Sequence, residues 1–251
     1  MRMPVVFVGH GSPMNAIEDN NYTKGWKELG ERIPRPKAIV SISAHWQTSG
    51  TRVNDSKYPK QIHDFYGFPS KLYEVVYDAK GSEELAKRVV DILGESVSVD
   101  NSWGVDHGTW SVLSRIFPKA DIPVVQVSLN YDMTPSEHFE LGKRLSALRD
   151  ESYLVLGSGN IVHNLGMIDW SQSGGFSWAE EFDTMVKKYI LAGDYEPLME
   201  IGNGGSLAVP TWEHYLPLLV CIGAAFKGDM VEAFNDSCVL GSISMTSYSF
   251  N

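Results

Sequence analysis

The chain has 251 residues, of which 43% are hydrophobic, and its formal net charge is −10. This acidic balance argues against a nucleic-acid partner, which requires a basic face. Since no apolar run is long enough to cross a bilayer and only Cys221 and Cys238 carry thiols, we expect a soluble cytoplasmic protein without a disulfide framework.

Apolar runs and helix-capping residues predict alternating strands and helices along the chain. An uninterrupted apolar run predicts a strand that is buried on both faces of a sheet. Amphipathic spacing between Ser82 and Gly94 predicts a helix with a capping residue at each end. In chain order, the predicted elements are strands 4–9 and 37–43, helix 82–94, strands 97–100 and 122–129, helix 135–149, strand 152–157, helices 178–192 and 213–226, and one or two closing strands within 237–249.

This order of elements predicts the fold class. Strands that alternate with helices are typical of an α/β sandwich around a mostly parallel sheet. The stretch 193–212 has the weakest pattern, and apolar helices are predicted on both sides of it. We therefore interpret it as a long functional loop, and we expect residues 1–251 to form a single domain.

Four histidines stand at predicted strand ends or helix starts, where ligands gather in an open α/β sheet. His10 and His45 each follow a predicted strand, so parallel neighbours would bring both rings to one edge of the sheet. We expect His163 in the first turn of a helix, whose positive end would lower the pKa of its imidazole. His214 opens a predicted apolar helix.

Taken singly, each of these histidines is also compatible with a local role as a turn residue or a helix-start residue. Taken together they favour a shared metal ion, because imidazole is the commonest protein metal ligand. Since HExxH, paired CxxC and EF-hand patterns are absent from the sequence, such a site would be drawn from distant segments. All-nitrogen ligation favours Zn, Cu, Fe or Ni over Mg and Ca.

The other histidines have less distinctive positions. His107 is interpreted as a loop residue that contacts substrate or bonds to its neighbour Asp106. His63 either lines a pocket for a planar substrate or lies at the surface bonded to Asp64. His138 is predicted on the solvent face of its helix and is excluded from the site.

Six ordered segments carry a resemblance to a known family: GHGSPMN, SAHW, IHDFYGFP, WGVDHGTW, GSGNIVHNL and PTWEHYLPLL. Together they resemble the class III extradiol ring-cleaving dioxygenases of the LigB superfamily, within it the 4,5-DOPA extradiol dioxygenase-like branch. The resemblance extends from His10 to the GSISM segment at 241–245. It implies a single α/β/α sandwich with a central mixed, mostly parallel sheet. It also implies that a catechol such as DOPA is opened by 4,5-cleavage with dioxygen to a muconic semialdehyde-type product.

The resemblance also implies a metal site and catalytic residues. The matching metal positions are His10, His45, His214 and His163. His163 matches an acid–base catalyst in the wider superfamily and a further ligand in zinc-bound members, and His107 matches a substrate-side catalytic histidine. Fe(II) is implied for activity, with Zn(II) as an alternative bound metal. The wider superfamily has a glutamate as its third ligand, whereas this chain has His214 there.

Glu213 stands next to His214 and is an alternative ligand. Adjacent residues on a helix point about 100° apart, so we expect only one of the two to face the site. Aromatic residues are expected to form walls around the substrate ring: Phe65, Tyr66, Phe68 and Trp110. Candidates for binding a substrate carboxylate are chosen by charge alone: Lys24, Arg52 and Lys57.

Two other classes of protein fit the same residues. A zinc-dependent hydrolase would use a metal-activated water and would not depend on dioxygen. A metal- or aromatic-binding protein without turnover would have its metal shell saturated by four histidines, because catalytic sites keep an open position.

Overall fold

Strands and helices alternate through most of the computed structural model, which describes residues 2–201 and 206–251. The strands are β1 (Val5–Gly9), β2 (Ala38–Thr48), β3 (Thr51–Val53), β4 (Val97–Val99), β5 (Val124–Asn130), β6 (Tyr153–Gly159), β7 (Val231–Phe234), β8 (Cys238–Val239), β9 (Ile243–Ser244) and β10 (Ser247–Phe250). The helices are α1 (Asn21–Arg32), α2 (Ser70–Tyr73), α3 (Glu83–Leu93), α4 (His107–Ile116), α5 (Pro135–Leu145), α6 (Ala147–Asp150), α7 (Ser177–Ala192) and α8 (Leu216–Ala224).

An eight-stranded sheet runs through the molecule in the order β4-β3-β5-β2-β6-β1-β10-β7. The central strand β6 is parallel to both of its neighbours, β1 and β2, and β2 is parallel to β5. Antiparallel pairs occur toward the edges, between β3 and β5, β1 and β10, and β10 and β7. The predicted α/β class with a mixed, mostly parallel sheet is therefore confirmed.

The sheet has a hydrophobic core on each face, which explains the unbroken apolar runs. Along β1, Val5 and Phe7 belong to the core that includes α8, whereas Val6 and Val8 belong to the core that includes α1 and α4. Successive side chains of a strand point to opposite faces, so a strand covered on both sides requires apolar residues at every position. Cys221 lies in the first of these cores as a free, buried thiol.

The second strand continues beyond its predicted end. β2 extends to Thr48 and pairs with β5, but its register shifts between Ile42 and Gln47. A register shift of this kind disrupts the ladder locally and re-aims side chains. His45 therefore lies in an irregular stretch within a strand, and the prediction that the strand ends at His45 was wrong.

Two helical features differ from their predictions. His107 is the first residue of α4, and the Asp106 carboxylate caps this helix by accepting the Thr109 N–H, so the predicted loop was wrong. His138 is fully buried in α5, where its Nδ1 donates to the Thr134 carbonyl. α5 packs closely on α8, since a Cβ at Gly142 would lie 2.0 Å from the Val220 carbonyl oxygen. Because of this close packing, α5 buries more of its surface than its polar sequence indicates, and the prediction that His138 faces solvent was wrong.

The predicted loop 193–212 is described only in part, because residues 202–205 lie outside the described residues. Within it, Pro197–Met199 form a short 3-10 helix, and Leu198 lies in the core. Across the two described ranges, no helix has both the length and the apolar character of a membrane span.

Candidate functional site

Neighbouring strands at the centre of the sheet bring His10 and His45 to the same edge. His10 directly follows β1, and its N–H donates to the Gly159 carbonyl at the end of β6 (2.9 Å). His45 lies in the irregular stretch of β2, on the other side of β6. A Cβ at Gly9 would lie 2.7 Å from the Met245 backbone, so glycine allows the C-terminal tail to cross the end of β1.

His163 and His214 reach the same place from irregular segments. The His163 N–H donates to the Ala208 carbonyl (3.0 Å), and the residue forms an isolated bridge with Ile243. His163 is thus not in the first turn of a helix, and that prediction was wrong. His214 lies in a turn before α8. The two rings stack with their centroids 3.4 Å apart and their planes 9° from parallel.

Three overlapping groups of residues could each hold a metal ion. In each group, every residue contributes one imidazole nitrogen or carboxylate oxygen, and these atoms all lie within 4.8 Å of one another. The groups are His10, His45 and His214; His45, Asp64 and His107; and His163, Glu213 and His214. In the first group, His10 Nε2 lies 3.2 Å from His45 Nε2. The five predicted histidines are therefore brought together, and the first group presents three imidazoles to one point.

The hydrogen bonds of Ser158 determine the tautomer of His10. The Ser158 hydroxyl donates its only hydrogen to the Gly108 carbonyl (2.5 Å) and also lies 2.9 Å from His10 Nδ1. It must therefore accept from a protonated Nδ1. A neutral His10 consequently carries its lone pair on Nε2, the nitrogen that faces His45.

His214 lines the cavity over the histidines, and Glu213 contacts the His214 ring from outside that lining. Glu213 Oε1 lies 3.2 Å from His214 Nδ1 and also accepts from Thr211 Oγ1 (2.7 Å). These residues lie in a turn, where the 100° separation of a helix does not apply. The lining of the cavity contains His214 and not Glu213, which agrees with the expectation that only one of them faces the site.

Burial keeps these imidazoles neutral. It lowers the pKa of His10 and His214 well below the ordinary value, with further lowering from the surrounding histidines. Burial also lowers the pKa of His45 to about 3 and that of His163 to about 4. For His163 the main cause is desolvation rather than the helix end that the sequence suggested. At neutral pH all four rings are free bases, the form that binds metals or accepts protons.

Asp64 is a site residue that the sequence analysis did not select. Its Oδ2 lies 2.9 Å from His107 Nδ1 and 3.2 Å from His45 Nδ1. Burial alone would raise the pKa of Asp64, but the hydrogen bonds and charge interactions with the histidines outweigh it, and the pKa is lowered. The predicted bond between His63 and Asp64 is absent from the bonds of the described residues. The position of Asp64 in the IHDFYGFP segment was the available signal.

Asp106 has a structural role beside the site. Its carboxylate accepts from Ser43 Oγ (2.7 Å) and from the Gln126 side chain, and it caps α4. Complete burial raises its pKa to about 6. The alternative in which Asp106 bonds to the His107 ring is thus replaced by the contact with Asp64.

A cavity of about 470 Å³ opens over the histidines. Phe65 and Phe68 line it, as predicted from the sequence. Tyr66 is 91% exposed and outside the lining, and Trp110 is fully buried behind it, so these two wall assignments were wrong. The exposed His63 also lies outside the lining.

The rest of the wall is largely apolar. Its apolar residues come mainly from the segment after His163 and from the C-terminal tail: Leu165, Ile168, Trp170, Val239, Leu240, Ile243 and Met245. The segment after His10 completes the wall with Gly11, Ser12, Pro13, Asn15, Asn20 and Tyr22. Among the described residues the lining contains neither lysine nor arginine. The carboxylate-binding candidates chosen by charge are therefore not at the cavity wall: Lys24, Arg52 and Lys57.

The chain is similar to known proteins over its whole length. Residues 3–251 match the family model for the catalytic LigB subunit of aromatic ring-opening dioxygenase. A protein of Escherichia coli (strain K12) described as 4,5-DOPA dioxygenase extradiol is 46% identical, with 98% of this chain and 94% of that protein covered. A Beta vulgaris protein of the same description is 38% identical, covering 97% and 95%. The crystal structure of an uncharacterized E. coli K12 protein has a TM-score of 0.85 at 40% identity and covers both chains completely.

Proposed function

Because the chain belongs to the LigB family of aromatic ring-opening dioxygenases, we propose that it is a non-haem metal-dependent extradiol dioxygenase acting on a catechol such as DOPA. The reaction inserts both atoms of dioxygen by 4,5-cleavage and gives a muconic semialdehyde-type product. The observation that carries this proposal is the convergence of His10, His45 and His214 at the bottom of an apolar cavity. We propose that residues 1–251 act as a single catalytic domain.

The donor set fits a metal ion. His10 must carry a lone pair on Nε2, and that atom lies 3.2 Å from His45 Nε2. A lone pair directed at a second nitrogen requires a proton or a cation between them, and a shared metal ion meets that requirement. We assign His10, His45 and His214 as ligands, with His163 as a further ligand or as an acid–base group. Fe(II) is the proposed metal for activity, with Zn(II) as an alternative occupant.

When bound, the metal would act as a Lewis acid and as a template that holds the two reactants together. The ring of His163 is neutral and stacked on His214, so one of its nitrogens is available to accept a catechol proton and later to return it. His107 contacts the substrate side of the site. Phe65 and Phe68 exclude water and pack against the aromatic ring.

The lining determines which catechols fit best. The walls bury an aromatic ring, but among the described residues they offer no cation to a substrate carboxylate. We therefore expect DOPA to bind through its catechol ring, with little gain from its amino-acid group. A small neutral catechol is expected to have a kcat/KM within about tenfold of that for L-DOPA, since an ion pair lost or gained at an exposed site changes binding by at most about 1 kcal/mol.

The experiment is anaerobic reconstitution with Fe(II), followed by admission of air in the presence of L-DOPA, dopamine or 4-methylcatechol. We expect stoichiometric oxygen uptake and a yellow semialdehyde product. Absence of both with every catechol would overturn the proposal. Zinc-dependent hydrolysis of ester or amide substrates without oxygen would instead support a hydrolase, and metal binding without either reaction would support a binding protein.

A further inference from the structure

The Asp64 carboxylate lies between two histidines of the site and contacts both. Its Oδ1 accepts the backbone N–H of His107 (2.9 Å), and its Oδ2 accepts from His107 Nδ1 (2.9 Å). The same Oδ2 lies 3.2 Å from His45 Nδ1. The Asp64 side chain is 11% exposed, so these contacts are largely shielded from water.

This arrangement selects one tautomer for each ring. An ionised carboxylate only accepts hydrogen bonds, so the hydrogen of a neutral His107 lies on Nδ1 and its lone pair on Nε2. For His45, the Nδ1–H tautomer is the one that would leave its Nε2 and that of His10 both free for a shared metal ion, and Asp64 Oδ2 lies close enough to His45 Nδ1 to stabilise it. A carboxylate that orients the imidazoles around a metal is a recurrent feature of metal sites.

The alternative carboxylate near His107 is already engaged elsewhere. Asp106 accepts from Ser43 and Gln126 and caps α4. The backbone before Asp64 is held in place separately, because Trp110 Nε1 donates to the Ile62 carbonyl (2.9 Å). Asp64 is thus the acid available to orient both rings. Its backbone segment is held by the Trp110 hydrogen bond, which does not involve either ring.

We propose that Asp64 is a positioning residue that holds the proposed ligand His45 and the substrate-side His107 in their Nδ1–H tautomers at the same time. This inference rests on the proposed function and extends it, because one carboxylate then couples metal binding to substrate activation. Loss of Asp64 is expected to weaken both, whereas loss of His107 alone affects only turnover.

The main test replaces Asp64 with Asn. Asp64→Asn keeps the volume and an acceptor for the His107 backbone N–H, but its amide nitrogen cannot accept from either ring. Asp64→Glu restores a carboxylate, and Asp91→Asn, at an exposed position of α3, is the matched control for loss of one charge. Thermal unfolding establishes that each variant folds.

The first measurement is long-range ¹H–¹⁵N NMR of the histidine side chains at saturating Zn(II). For the wild type and Asp91→Asn we expect Nδ1–H on both His45 and His107. For Asp64→Asn we expect His107 to lose this signature, and for Asp64→Glu to recover part of it. A wild-type His107 that carries its hydrogen on Nε2, or signatures that are unchanged in Asp64→Asn, would overturn the proposal. The wild-type measurement decides the tautomer even if Asp64→Asn does not fold.

The second measurement is Zn(II) affinity by chelator competition. We expect Asp64→Asn to bind Zn(II) about 10- to 100-fold more weakly than Asp91→Asn, the usual effect of losing an outer-shell partner. Equal affinities would contradict the coupling. Neither measurement depends on ring cleavage, so failure of the dioxygenase proposal and failure of the Asp64 proposal are distinguishable.

Discussion

The bottom of the cavity and its mouth are built in opposite ways. We call the first the histidine floor, which consists of His10, His45, His107, His163 and His214. We call the second the apolar rim, which consists of Leu165, Ile168 and Trp170. The floor is buried or half-buried, and its orientation depends on hydrogen bonds such as those of Ser158 and Asp64. The rim is half-buried or exposed, with Trp170 81% exposed.

This difference indicates that the histidine floor and the apolar rim have different roles. A buried imidazole with a polar partner is held in one orientation, because leaving that partner unsatisfied is costly. An exposed apolar side chain has no comparable constraint and lies in a connecting segment, where change is tolerated. The floor is therefore suited to the common chemistry of ring opening, and the rim to the choice among catechols.

The largest effect is expected at the floor, where His214 and His163 are assigned different roles. His214→Ala removes a proposed ligand and should weaken Zn(II) binding by about 100-fold or more. His163→Ala should retain Zn(II) within about tenfold but lower kcat by about 10²- to 10⁴-fold, as expected for an acid–base group. Chelator competition and steady-state kinetics measure the two effects. Equal loss of metal in both variants would make His163 a true fourth ligand.

A substitution at His107 tests whether the floor is itself divided. His107→Gln removes the ring that Asp64 orients, and we expect kcat to fall by about 100-fold through the loss of an acid–base or substrate contact. Zn(II) affinity should stay within a few-fold of wild type, because His107 is not among the proposed ligands. If metal is lost as completely as in His214→Ala, His107 belongs to the metal shell.

The smallest effect is expected at the rim. Trp170→Ala should leave kcat within about twofold and raise the KM for bulky catechols by about two- to tenfold, since an aromatic contact contributes roughly 0.5–1.5 kcal/mol. The KM for unsubstituted catechol serves as the internal control. A fall in kcat comparable to that of His107→Gln would show that the rim takes part in the chemistry and would remove the distinction between the two regions.

Local sequence patterns predicted much of the frame. The apolar run of β1 and the capped helix α3 were predicted to within a residue or two of their bounds, because burial on both faces and helix capping leave direct marks in sequence. Helix α1 was missed, since Gly25 and Gly30 lower its helical propensity. These glycines permit close packing, and a Cβ at Gly30 would lie 2.1 Å from the Ile116 carbonyl oxygen.

The site was predicted unevenly for a similar reason. His10 and His45 were expected together because each comes directly after an apolar run that predicts a strand, although β2 in fact continues past His45. The stacking of His163 on His214 depends on the bridge to Ile243 and on the backbone bond to Ala208, which join segments far apart in the chain. Such contacts leave no periodic pattern in the sequence.

By itself the sequence determined the fold class, the strands that deliver His10 and His45, and the family motifs that bring the other histidines into consideration. Only the tertiary structure decided that Asp64, rather than Asp106, serves His107, and that His163 is neutral because of burial rather than a helix end. The physical reason is that strand and helix formation depends on neighbouring residues, whereas tautomer, burial and hydrogen-bond partner depend on atoms that folding brings together from distant segments.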